Sequence, residues 1–220
     1  MFQDMKIRYF DEPGPQNMNH VIEIVKDRIG KGGIKYVIVC SISGKSALKM
    51  SEALHGFNIQ VICATGTPAW QIHGYKWPLV RGEIRKKLEG LSVKIIERTP
   101  STLSGDTVDY GLARYGWVPA SWIVAETLEA MGGYGLKTAV EGVLMATDSG
   151  TIPSSIEVIS VAGTGSGADT AIVAKSAYSA CMFSRDVEKR FQILEILAVP
   201  RTKTWHEAIE AGEFSVKETE

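Results

Sequence analysis

Tyr36-Val37-Ile38-Val39-Cys40-Ser41-Ile42-Ser43-Gly44-Lys45-Ser46-Ala47-Leu48 (residues 36–48) decides the fold class. Its first five residues are apolar and mostly β-branched, the composition of a strand buried on both faces. The segment from Gly44 to His55 then repeats apolar residues at helical spacing (Ala47, Leu48, Ser51, Leu54), and Gly56 stands where that helix should stop. A buried strand feeding an amphipathic helix is half of a parallel βαβ unit.

The same alternation extends in both directions. Upstream, Met18, Val21, Ile22, Val25 and Ile29 form one helical stripe over residues 17–30, with Asn17 placed to cap it and Gly30 to end it. Downstream, residues 57–63 predict a second strand, and Pro78 predicts the start of a helix carrying Val80, Ile84 and Leu88. Residues 93–97 follow as a third strand. The rhythm breaks over 99–118, a glycine- and proline-marked excursion of the sort that covers sites. Two helices come next, one with Ile123, Val124, Thr127, Leu128 and Met131 as its buried stripe, the other running from Leu136 to Thr147. Strands are expected at 156–162, from Thr170 onward, and at 191–199. Thr204-Trp205-His206-Glu207 fits a capping box for a short terminal helix. The expectation is one α/β domain over 1–203 and a helix-and-tail segment over 204–220.

Composition excludes several classes. The 220 residues carry 24 Lys+Arg against 25 Asp+Glu, a formal charge of −1 that gives no footprint for nucleic acid or an anionic membrane. A 45% hydrophobic content argues against disorder, and no apolar run is long enough to span a bilayer. The opening Met1–Lys6 lacks a signal-peptide pattern, and Cys40, Cys63 and Cys181 read as free thiols in a reducing compartment. A cytoplasmic protein is the expectation.

Two loops suit an anion. In the first, Ser41 to Ser46, Ser43 is placed to cap the helix. The free first-turn amides, the hydroxyls of Ser41, Ser43 and Ser46, and Lys45 suit a phosphate. Gly44-Lys45-Ser46 imitates a P-loop, but Val39 occupies the position that needs glycine, so a P-loop nucleotidase is rejected. An ordinary capped turn explains the residues equally well. The second loop is Gly163-Thr164-Gly165-Ser166-Gly167-Ala168-Asp169-Thr170, whose alternating glycines allow close backbone approach to a ligand. A tight turn between strands is the competing account, and Asp169 is expected to serve both roles, fixing the turn and contacting the ligand with one side chain. Glu141 and Asp148 share one side of a helix with Met145 between them, as an acid–base pair or as caps for neighbouring backbone. Trp70, His73, Tyr75 and Trp77 either stack on a planar ligand or pack on their own domain. The four histidines (His20, His55, His73, His206) show no metal-ligand spacing.

The run Val37 to Ala47 resembles the strand and T-x-S-G-x-S-A turn that open the C-terminal domain of pyruvate kinase, with Ser41 in place of the threonine. The closer resemblance is to stand-alone, mainly archaeal proteins of the pyruvate kinase C-terminal-domain-like family. It rests on Leu136 to Pro153, on Gly163 to Ala171, on Pro13, Gly14 and Asn17, and on Glu195 to Arg201. That resemblance implies a three-layer α/β/α fold with a mostly parallel sheet whose last strand runs antiparallel. It implies flavin mononucleotide as ligand, with Thr65, Gly66, Ser104, Gly105 and Met145 joining the two loops at the site. It implies no pyruvate kinase activity, since only the effector-type domain is matched. This chain departs from the family in having Thr99 to Thr102 before Leu103-Ser104-Gly105, and Gly66 to Trp70 after the second strand, where the family carries histidines. Three functions stay open: a binder of a phosphorylated planar molecule, a flavin-dependent oxidoreductase with 99–118 as lid, and an effector-binding regulator of a partner. A homo-oligomer is compatible with each.

Overall fold

A computed structural model describes residues 5–103, 107–113 and 115–205. Seven strands form one sheet in the order β1-β7-β6-β5-β2-β3-β4. They are β1 (Arg8–Phe10), β2 (Tyr36–Cys40), β3 (Gln60–Ala64), β4 (Lys94–Ile96), β5 (Glu157–Ala162), β6 (Thr170–Lys175) and β7 (Gln192–Pro200). All point the same way except β6, which is antiparallel to both of its neighbours. The expected antiparallel strand is therefore the penultimate one, because the short Gly163 loop can only turn the chain straight back. β7 then resumes the common direction.

Helices cover both faces. On one lie α1 (Met18–Gly30), α2 (Lys45–Ala53) and α3 (Gly82–Gly90), with Val21, Val25, Ala47, Met50 and Leu88 packed on Val37, Val39, Val61, Ile159 and Val173. On the other lie α5 (Ala120–Gly132) and α6 (Tyr134–Asp148), with Leu136, Val140, Val143 and Leu144 on Ile38, Ile62, Val158 and Ile172. Successive strand residues thus alternate between two cores, and the strands read as unbroken apolar runs. A short helix, α4 (Val108–Ala113), lies within the 99–118 excursion.

Several sequence expectations need correction. Regular structure begins at β1, a three-residue edge strand too short to show a period. Asn17 does not cap α1: it is helical itself, ends a 3-10 turn, and its side-chain amide donates to the Glu12 carbonyl at 2.8 Å. Pro78 does not open α3, which starts at Gly82; Leu79 and Val80 are buried in the turn before it. On α5 the inward residues are Ala125, Glu129 and Gly132, so Ile123, Thr127 and Met131 of the expected stripe face solvent. The capping box at Thr204 continues into residues 206–220, outside the described residues. No helix among the described residues is long and apolar enough to cross a membrane.

Candidate functional site

The chain adds β3 and β4 on one side of β2, then returns to set β5 on the other side. The β2–β5 boundary is therefore a topological switch point, the place at the strands' carboxyl ends where open α/β sheets generally bind ligands. The loops leaving those two strands are Ser41–Ser46 and Gly163–Gly167, and they touch: the Ser46 hydroxyl donates to the Gly167 carbonyl at 3.3 Å. The loop after β3 joins them, because the Thr65 hydroxyl donates to the Ile42 carbonyl at 2.9 Å. Two loops whose touching residues stand 121 positions apart in the chain form one rim.

Local packing explains part of each loop. Gly44 has φ 83°, and a Cβ on it would lie 3.0 Å from Val80, Ile84 and Leu88, so this glycine lets α3 dock. Ser43 does not cap α2 as expected: the left-handed Gly44 that this docking requires is itself the N-cap, which leaves Ser43 one residue too early, its hydroxyl accepting only from the Lys45 amide at 3.4 Å. The first turn of α2 still points amides at the rim, flanked by the hydroxyls of Ser41 and Ser43 and by the exposed Lys45. In the second loop a Cβ on Gly163 would meet the Gly167 carbonyl at 2.6 Å, and one on Gly167 would meet Pro15 Cα at 2.4 Å. These two glycines fold the loop against itself and against the chain after β1. Gly165 (φ 76°) and the exposed Ser166 form its outer tip.

Asp169 organises that loop from beneath. It is fully buried; its Oδ2 accepts from the Gly14 amide at 2.9 Å and the Thr164 amide at 3.1 Å. Its Oδ1 accepts from the Thr170 hydroxyl at 2.9 Å. Of the two roles expected of Asp169, this is the turn-fixing one, and Thr170 is buried with it. Burial raises the carboxyl pKa above the ordinary aspartate value, although hydrogen bonds from Gly14, Thr170 and Thr164 pull it down.

Met145 does not reach the rim. α6 begins there, with Gly135 packed against Asp169 and Thr170, and runs back towards the strands' amino ends. Ten residues on, Met145 stands about 15 Å farther down the helix. Gly66 is covered by Trp70, whose ring a Cβ would approach within 2.6 Å. Tyr75 meets Trp70 edge-on at 5.2 Å, and Arg98 lies 5.2 Å from the Trp77 ring, so the aromatic segment packs on its own domain. Asp148 accepts from the Ser179 amide and hydroxyl, fastening the turn after β6. Ser104 and Gly105 lie outside the described residues.

The first turns of α6 carry a charged cluster that the sequence alone does not flag. Lys137 and Glu141 are both buried, with Nζ 3.6 Å from Oε2 and 4.4 Å from the Tyr134 ring centroid. Burial pushes the Lys137 pKa down, but Glu141, Tyr134 and the fully buried Glu129 outweigh it and hold the ammonium charged. Glu141 Oε1 accepts from the Leu103 amide at 3.2 Å, drawing the start of the excursion onto α6. Cys40, at the end of β2, donates its thiol proton to the Thr138 carbonyl at 3.2 Å. Burial, then the Glu141 charge, raises its pKa far above that of a free thiol. Lys137 thus serves as a fixed cation and not as a base, and Cys40 stays a thiol. The hydroxyls of Ser101, Thr102 and Thr138 are buried beside this cluster and have no hydrogen-bond partner among the described residues. The one signal for it in sequence is a Lys and a Glu four residues apart inside an otherwise apolar helix.

No protein-family model matches the chain.

Proposed function

We propose that this chain binds a phosphorylated planar small molecule at the β2–β5 switch point, with flavin mononucleotide as the leading ligand. We read it as a stand-alone relative of the pyruvate kinase C-terminal domain. The observation that carries this reading is the contact between the Ser41–Ser46 and Gly163–Gly167 loops at that switch point. The donor set fits a phosphate dianion: first-turn amides of α2, the Ser41 and Ser43 hydroxyls and the Lys45 ammonium. The phosphate belongs to the Ser41–Ser46 side. Packing within the chain already accounts for Gly163 and Gly167, whereas the start of α2 keeps its amides directed outward.

Ser43→Ala is expected to weaken flavin mononucleotide by about tenfold to a hundredfold, the loss of one hydrogen bond to a charged group. Riboflavin, which lacks the phosphate, should be weakened far less. The folding loss should stay below about 1 kcal/mol, because Ser43 is not the N-cap and its one bond to the Lys45 amide is long. Titration calorimetry of both ligands against both proteins reads this out. Equal weakening of the two ligands moves the phosphate to the Gly163–Gly167 loop. A colourless protein that takes up neither flavin nor inorganic phosphate would falsify the reading.

A further inference from the structure

Helix α5 is apolar on more than the side it buries. Ala125, Glu129 and Gly132 face α6, while Ile123 (57% exposed), Thr127 and Met131 (69%) descend the opposite side at four-residue spacing. An apolar stripe on the side of a helix away from its own core calls for a second layer, and among the described residues α5 packs mainly on α6. The segment leading into it, tied to the start of α5 by the hydrogen bond from the Ser121 hydroxyl to Asp109, also exposes Val108 (78%), Tyr115 (69%), Trp117 (71%) and Val118 (69%). Together these six side chains leave roughly 500–600 Å² of apolar area in solvent. That is the top of the range for the largest patch on a monomer, and matches the apolar share of one side of a standard interface, about 800 Å² per partner.

We propose that this face is covered by a second copy of the chain, with α5 packed antiparallel on its mate about a two-fold axis at Thr127. The spacing of the stripe makes it self-complementary. An axis at Thr127 sets Ile123 of each chain against Met131 of the other, as an isologous contact requires. Thr127, the smallest residue of the three, stands where the helices approach most closely, and the exposed Ala130 beside it adds no bulk to hold them apart. Glu126 flanks the stripe and supplies a polar edge, and residues 115–133 contain no lysine or arginine that would suit an acidic partner.

Sedimentation velocity at micromolar concentration should give a two-chain species. Ile123→Asp and Met131→Lys should each raise its dissociation constant about a hundredfold by burying a charge at the centre of the contact. Both positions are exposed within the chain, so the monomers should keep their fold by circular dichroism. Ile72→Asp, at an exposed residue elsewhere, should leave the dimer intact. Oxidation of the Thr127→Cys chain with a mild thiol oxidant should join the two copies through residue 127; Cys63 is buried, and a parent-chain control that keeps the part-exposed Cys40 and Cys181 excludes other links. A monomeric wild type, or a dimer indifferent to Ile123→Asp and Met131→Lys, overturns the proposal. A dimer that Thr127→Cys does not link, or an assembly of any other stoichiometry, overturns the two-fold pairing.

Discussion

Lys137→Met is expected to cost about 3–5 kcal/mol of folding stability, a large share of the roughly 5–15 kcal/mol that holds a domain together. The ammonium lies 3.6 Å from Glu141 and is held charged by Glu141, Tyr134 and Glu129, all in surroundings that water barely enters. Removing it leaves buried carboxylates without their cation, which costs far more than the net worth of the ion pair. Adding Glu141→Gln should recover much of the loss, since glutamine keeps an oxygen for the Leu103 amide and carries no charge. Urea melts of wild type, single and double variants measure both effects. A deficit below about 1 kcal/mol would mean that the pair behaves as a solvent-screened surface bridge.

What is legible in the sequence follows from what each signal depends on. Six of the seven strands stand out because both sheet faces are covered, which turns each strand into a β-branched run bounded by glycine or polar residues. β1 is Arg8-Tyr9-Phe10, with no β-branched residue to mark it, whereas the equally short β4 carries Ile95 and Ile96. Helix α5 is recognisable as a helix, but its inward side is not: apolar residues surround it, so periodicity cannot choose between Ala125–Glu129 and Ile123–Met131. The two anion loops are visible as glycine and hydroxyl clusters, yet their contact depends on strand order, which no local window contains. Met145 shares a motif with Lys137 and Glu141 in the chain but stands two turns below Lys137, because position along a helix is also depth beneath the rim. Lys137 is inconspicuous because a lysine in an amphipathic helix ordinarily extends its ammonium to water. Here Glu141 one turn on, then Tyr134 and Glu129, make its burial tolerable.

Asp169→Ala should cost at least about 3 kcal/mol, and Asp169→Asn far less. The alanine leaves the buried amides of Gly14 and Thr164 and the Thr170 hydroxyl without an acceptor, at about 1–3 kcal/mol each. Asparagine can set its oxygen where Oδ2 stands and turn its amide towards the Thr170 hydroxyl, which also accepts. The two variants then separate with pH. Burial raises the folded pKa of Asp169 above its unfolded value, so the folded state favours the neutral acid. The resulting stabilisation is complete below the unfolded pKa of about 3.9 and is lost as pH rises through the higher folded value. Asparagine is neutral throughout and has no such dependence. The stability of Asp169→Asn relative to wild type should therefore improve from about pH 4 upward and level off once Asp169 is fully ionised in the folded protein. Thermal melts of both proteins over that range read the difference directly. A constant gap would mean that the three donors hold the carboxylate ionised on their own terms. An asparagine variant as unstable as the alanine one would mean that the charge itself, and not the acceptor geometry, ties the chain after β1 to the glycine loop.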